Sequence, residues 1–138
     1  MITGLDHIAI AVPDLEEAIK RFLDDFGLKY DGSEAVPAQK TTTAFFPVPP
    51  TSIELVAALD GEGPIAKYVE KKGGGMHHLC FRSDDIVADV ARLKEKGYQF
   101  LSDAPSAGAH NCQVIFIHPK SCGGVLIELS QPGDDDSH

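Results

Sequence analysis

Two stretches of the chain carry the same polar signature. His7 opens HIAIAVPDLEEAIKRF and His78 opens HLCFRSDDIVADVARL, each an imidazole followed by a short alternating run, an Asp and a helical period. Each copy closes on a glutamate between apolar neighbours, SIELV around Glu54 and LIELS around Glu128, at nearly the same distance along the chain from its histidine. A lone His or Glu in a strand is ordinarily a satisfied core or surface group, and it is the repetition of both that points to metal chemistry. Two neutral imidazoles and two carboxylates suit one borderline or harder divalent ion, Co²⁺, Ni²⁺, Mn²⁺ or Zn²⁺. The expected ligands are His7, Glu54, His78 and Glu128. Such a set leaves two octahedral positions for two oxygens of a chelating substrate, which makes a site for stabilising an enolate.

Strand parity supports this choice. Ile8, Ile10 and Val12 share one face of the first strand and should meet a helix, so His7, Ala9 and Ala11 occupy the other, where small neighbours leave room for something that is not protein. By the same test Leu79 and Phe81 go with His77, whereas Cys80 and Arg82 go with His78, which makes His78 the equivalent of His7. Ile53 and Leu55 bracket Glu54 as Ile127 and Leu129 bracket Glu128. Each carboxylate thus lies opposite an apolar pair and needs a partner if buried.

The elements that must position these groups are legible from caps and periods. Asp14 and Glu17 form a capping pair, with Leu15, Ala18, Ile19, Phe22, Leu23 and Phe26 at helical spacing and Gly27 as the stop. In the second copy Asp85 caps, Ile86, Val90 and Leu93 form the stripe, and Gly97 closes. Pro64 starts a linker helix over 64–75 with Ile65, Tyr68 and Val69 inward, running into Gly73, Gly74 and Gly75. TTTAFFPV, SIELVAAL, NCQVIFIH and GVLIELSQ read as strands. The expectation is a single α+β domain over 1–138, with module 1 about 2–59, module 2 about 76–132 and a disordered acidic tail at 133–138.

Composition narrows the function classes. The chain has 138 residues, 43% of them apolar, enough for one cored domain. A formal net charge of −9 argues against a nucleic-acid partner. The chain does not open on a cationic stretch followed by an apolar core, and no apolar run approaches the roughly 20 residues of a spanning helix, so no membrane association or export is expected. Cys80, Cys112 and Cys122 are odd in number and lack CxxC spacing, which suits a reducing cytoplasm. A small anionic ligand would need a local basic cluster, for which Lys40, Lys67, Lys71, Lys72, Arg82 and Lys120 are the candidates.

The segments DHIAIAV, SIELV, GPIAKYVEKKGGGMHHLCF, the GAH ending at His110 and HPKSCGGVLIEL run in order across nearly the whole chain. In them the sequence resembles the vicinal-oxygen-chelate (glyoxalase/bleomycin resistance) superfamily and, within it, the methylmalonyl-CoA epimerase family. The resemblance implies two tandem βαβββ modules forming a shared metal-binding concave sheet. It implies the same four ligands, the second of which is often Gln in epimerases. The activity implied is interconversion of (2R)- and (2S)-methylmalonyl-CoA by α-proton removal and return through a metal-chelated enolate, with an acyl-CoA as partner. A homodimer is expected as well.

Epimerisation needs a base on each face of a planar intermediate. The resemblance offers Glu128 for one. In bacterial relatives the second is a carboxylate in a QGVxEA-like segment, and the aligned stretch here is Gln39-Lys40-Thr41-Thr42-Thr43-Ala44, with Thr43 at the Glu position. A hydroxyl with no base beside it cannot abstract such a proton, so Glu54 is expected to take the second role. One alternative is a glyoxalase I-type lactoylglutathione lyase or another isomerase of this fold, which resembles the His-Glu-His-Glu set more closely. Another is a non-catalytic binding protein. Lys40, Thr43, His110 and Lys120 are expected near the substrate, and the small residues from Ser106 to Asn111 could cradle its carboxylate. His118 before Pro119 reads as a cap, and Cys80 and Cys122 as packed small hydrophobes.

Overall fold

The computed structural model describes residues 1–133, so the expected acidic tail lies, beyond Gly133, outside the described residues. The chain forms two compact units: His7–His77, and a second made of Met1–Asp6 with the chain from His78 onward. Each contains one strand–helix–three-strand series.

In the first unit the second half of β1 (Ile2–Ala11) leads into α1 (Leu15–Lys20), then β2 (Ser33–Val36), β3 (Thr41–Val48), β4 (Thr51–Ala58) and α2 (Pro64–Lys72). The strand order is β2-β3-β4-β1, antiparallel except where β1 runs parallel to β4. Asp14 Oδ1 accepts the Glu17 amide at 3.1 Å, as the capping pair predicts. Ile10 of β1, Val12 just after it and Leu55 of β4 pack with Leu15, Ala18, Ile19 and Phe22 of the helical segment. Beyond Lys20 the helix widens into a π-type turn over Arg21–Asp25. That extra residue per turn carries Leu23 and Phe26 off the apolar stripe and leaves both exposed, contrary to the helical spacing. Phe26 keeps an edge contact with Phe22, their centroids 5.1 Å apart.

The opposite face of this sheet is also partly covered. Ile65, Tyr68 and Val69 of α2 pack on Ala11 and Val56. The room expected beside Ala11 is therefore filled by a helix, and only the His7 end of the strand remains for chemistry. Gly74 (φ 118°) permits this return, because a Cβ there would stand 2.9 Å from the Ala11 carbonyl oxygen.

The second unit repeats the plan with β5 (Gly75–Ser83), α3 (Ile86–Glu95), β6 (Ser106–Ala107), β7 (Gln113–Ile117) and β8 (Ile127–Gln131), in the order β5-β8-β7-β6 with β5 parallel to β8. Asp85 Oδ1 caps α3 by accepting the Ala88 amide at 3.1 Å. Ile86, Val90 and Leu93 pack on Phe81, Ile115, Ile117, Ile127 and Leu129. β8 begins at Ile127, three residues later than the GVLIELSQ run suggests, because Pro119–Cys122 form a 3-10 turn and Gly123 and Gly124 have positive φ.

At the start of α3, burial opposes ionisation of Asp89, but hydrogen bonds from Ser83 and Arg92 and the Met1 ammonium hold its carboxyl below the usual value. A depressed carboxyl pKa adds stability above the unfolded-state value and loses it as pH falls through the folded-state value. Replacing the cap at the same helix end tests the local account. Asp85→Ala is expected to lower the free energy of urea unfolding by about 1 kcal/mol, and an unchanged midpoint would show that the cap is not holding α3.

Candidate functional site

Each unit places one His–Glu pair on the face its long helix does not cover. In the first, Ala9 of β1 is registered beside Glu54 of β4, and His7, two residues before Ala9, is on the same side. His7 Nδ1 lies 3.0 Å from Glu54 Oε2. In the second, Cys80 is registered beside Glu128, and His78 Nε2 lies 3.0 Å from Glu128 Oε1. The repeat thus holds to the level of side-chain contact.

These groups are withdrawn from water. His7 is 6%, His78 9% and Glu128 4% exposed, and Glu54 is half-buried. A buried carboxylate is costly unless hydrogen-bonded or coordinated. An imidazole N–H donating to each carboxylate gives both partners a hydrogen bond. The spacing also fits a cation. Two ligand atoms each about 2.1 Å from an ion, and at right angles, stand about 3.0 Å apart. Each pair therefore has the edge length of two adjacent octahedral ligands, with donor types suited to a divalent ion.

His77 goes elsewhere, as parity requires. Its ring stacks edge-on against Tyr68 at 4.9 Å, and Tyr68 Oη donates to the Met76 carbonyl at 2.8 Å.

Two wall residues were not anticipated. Phe45 of β3 is registered directly beside Glu54, and Phe116 of β7 directly beside Glu128. Phe116 meets the His78 ring edge-on, centroids 5.1 Å apart. Superposing the two sequence copies past their helices would have found this pair, because TTAF ending at Phe45 and QVIF ending at Phe116 hold the equivalent positions.

The other expected residues are scattered. Thr43 is buried on the His7–Glu54 face. Lys40 is exposed at the turn before β3, with φ 56°. His110 and Lys120 lie on exposed turns of the second unit. His118 does cap, its Nδ1 accepting the Lys120 amide at 3.1 Å. Arg82 is taken up by Asp6, with Nε and Nη2 donating to one carboxylate oxygen at 3.1 and 2.9 Å. The Ser106–Asn111 segment is only partly a loop, since Ser106 and Ala107 pair with β7. Burial pushes the Cys122 thiol up, in keeping with its packing against the second core.

A sequence-family comparison matches residues 6–116 to the glyoxalase/bleomycin resistance protein/dioxygenase superfamily. The chain is 43% identical to the mitochondrial methylmalonyl-CoA epimerase of Mus musculus over 92% of its length and 72% of the relative's. It is also 43% identical to the ethylmalonyl-CoA/methylmalonyl-CoA epimerase of Cereibacter sphaeroides, over 95% of this chain and 99% of that one. Among solved structures, the methylmalonyl-CoA epimerase from Mycobacterium tuberculosis superposes with a TM-score of 0.92 at 38% identity, covering 97% of this chain and 91% of that one.

The pairs can be tested in metal-free protein. Removing one partner strands a buried polar group, so Glu128→Ala should cost about 1–3 kcal/mol in urea unfolding, whereas the double variant His78→Phe/Glu128→Leu should cost less. Equal losses would mean that the contact carries no coupling.

Proposed function

The chain belongs to the glyoxalase/bleomycin resistance protein/dioxygenase superfamily, in its methylmalonyl-CoA epimerase family, and from that premise we propose that it interconverts (2R)- and (2S)-methylmalonyl-CoA. The observation that carries this reading is the His–Glu pair, 3.0 Å in length and largely withdrawn from water, present once in each module. We assign His7, Glu54, His78 and Glu128 as the ligands of one divalent cation, Co²⁺, Ni²⁺, Mn²⁺ or Zn²⁺. When bound, the ion supplies Lewis-acid stabilisation of the charge that develops on the thioester and carboxylate oxygens as the α-proton leaves.

The side chains do the rest. Glu128, buried beside Phe116, accepts the α-proton on one side of the planar carbanion or returns it there. Glu54 is the other carboxylate of the ligand set and the first candidate for the opposite side. Phe45 and Phe116 keep water from the two glutamates, which strengthens every charge interaction there. Thr43 lines the same face as Glu54. Lys40, His110 and Lys120, exposed on turns, are assigned to the anionic groups of the acyl-CoA. The protein acts as a homodimer in a reducing cytoplasm, in keeping with Cys80, Cys112 and Cys122 forming no disulfide among the described residues. Among the described residues no helix is long and apolar enough to cross a membrane. The lactoylglutathione lyase alternative is not favoured, since the relatives at 43% identity are epimerases.

Proton NMR in D₂O tests the activity. Either epimer of methylmalonyl-CoA should lose its α-proton signal to deuterium as the epimers interconvert. Turnover of the glutathione hemithioacetal with no α-exchange would overturn the assignment. The ligand set is tested by elemental analysis after dialysis: His78→Ala should lose the bound ion, and His77→Ala should keep one per chain. Retention by both would remove His78 from the set.

A further inference from the structure

Alternation along β7 sends Ile115 and Ile117 into the core beneath α3 and turns Phe116 to the opposite face, the face of Glu128 and His78. A half-buried aromatic ring thus stands among polar groups, outside the core that the helix covers. Its contact there is specific. The Phe116 ring meets the His78 ring edge-on, with centroids 5.1 Å apart and planes at 86°, an arrangement that aromatic quadrupoles favour.

We infer that Phe116 is a positioning residue for the metal centre, and that it fixes the plane of the His78 ring. This rests on the ligand set assigned above. The imidazole hangs from β5 through a χ2 torsion whose profile is broad and roughly two-fold, so the backbone does not set the ring plane by itself. The lone pair of an imidazole nitrogen lies in that plane. A swivelled ring therefore aims its electron pair away from an ion even when its Cβ has not moved.

Glu128 constrains the plane weakly. The nitrogen it faces is Nε2, 3.0 Å from Oε1, and Nε2 lies close to the axis of the χ2 torsion, so the ring can turn with little change in that distance. A neighbour whose plane is nearly perpendicular does constrain it, because turning the imidazole would lose the edge-on contact or drive the two rings together.

Phe116 is itself held in place. It is registered beside Glu128 in the β7–β8 ladder, and Ile115 and Ile117 on either side of it are buried in the core. The whole device lies within the second unit: the ligand pair on β5 and β8, and the ring that orients the imidazole on β7. An aliphatic side chain of similar size would still keep water from Glu128, but it would offer no flat ring to set the plane.

The test is the Co²⁺ affinity of the full chain, measured by competition with a chelator, with the visible spectrum of the bound ion as a second readout. Phe116→Leu keeps apolar bulk and removes the ring. It should weaken Co²⁺ binding by about 10-fold or more and alter the intensity of the visible bands, which report the arrangement of the ligands. Phe116→Tyr keeps the ring and should bind within about threefold of the parent. Leucine binding Co²⁺ as tightly as the parent would overturn the inference, as would tyrosine losing as much affinity as leucine. So would a lower urea midpoint for metal-free Phe116→Leu with an unaltered Co²⁺ spectrum, the pattern of a merely structural role. A parent that binds no Co²⁺ would refute the ligand set and this inference together. A parent that binds Co²⁺ yet exchanges no α-proton would refute the epimerase reading alone.

Discussion

A carboxylate buried on a sheet must be answered by a proton donor or a cation, and in this chain that constraint is met twice by the same device. Glu54 and Glu128 sit on strands whose flanking residues are committed to helix-covered cores. Neither can turn toward solvent without taking its whole strand out of register. His7 and His78, each two residues before the position registered beside its glutamate, supply the answering nitrogen at 3.0 Å. The parallel pairing of β1 with β4 and of β5 with β8 is what sets that offset. The helices α1 and α3 matter because they fix which face of each sheet is left for polar groups.

The two units are equivalent in scaffold and unequal in chemistry. Both have the His–Glu pair and the phenylalanine beside the glutamate. They differ in what lies one strand further out: Thr43 and Glu34 in one, Val114 and Ser106 in the other.

Much of this was legible in the sequence because it follows from parity and capping. The choice of His78 over His77 needed only alternation along β5. Both long helices begin at the aspartates that the capping pattern marks. Other features depend on contacts that local pattern does not encode. The exposure of Phe26 follows from a π-type turn, and the filling of the space beside Ala11 follows from α2 folding back onto β1 and β4. β6 is a two-residue strand, too short to show a period.

The proposed centre makes a claim about atoms, that one cation is held by two imidazole nitrogens and two carboxylates with no thiolate, although Cys80 is registered beside Glu128. X-ray absorption at the metal edge of Co²⁺-loaded protein addresses it most directly. The account predicts a first shell of nitrogen and oxygen only, with outer-shell scattering from two imidazole rings. A sulfur scatterer near the ~2.3 Å typical of metal–thiolate bonds, or scattering from fewer than two imidazoles, would contradict it.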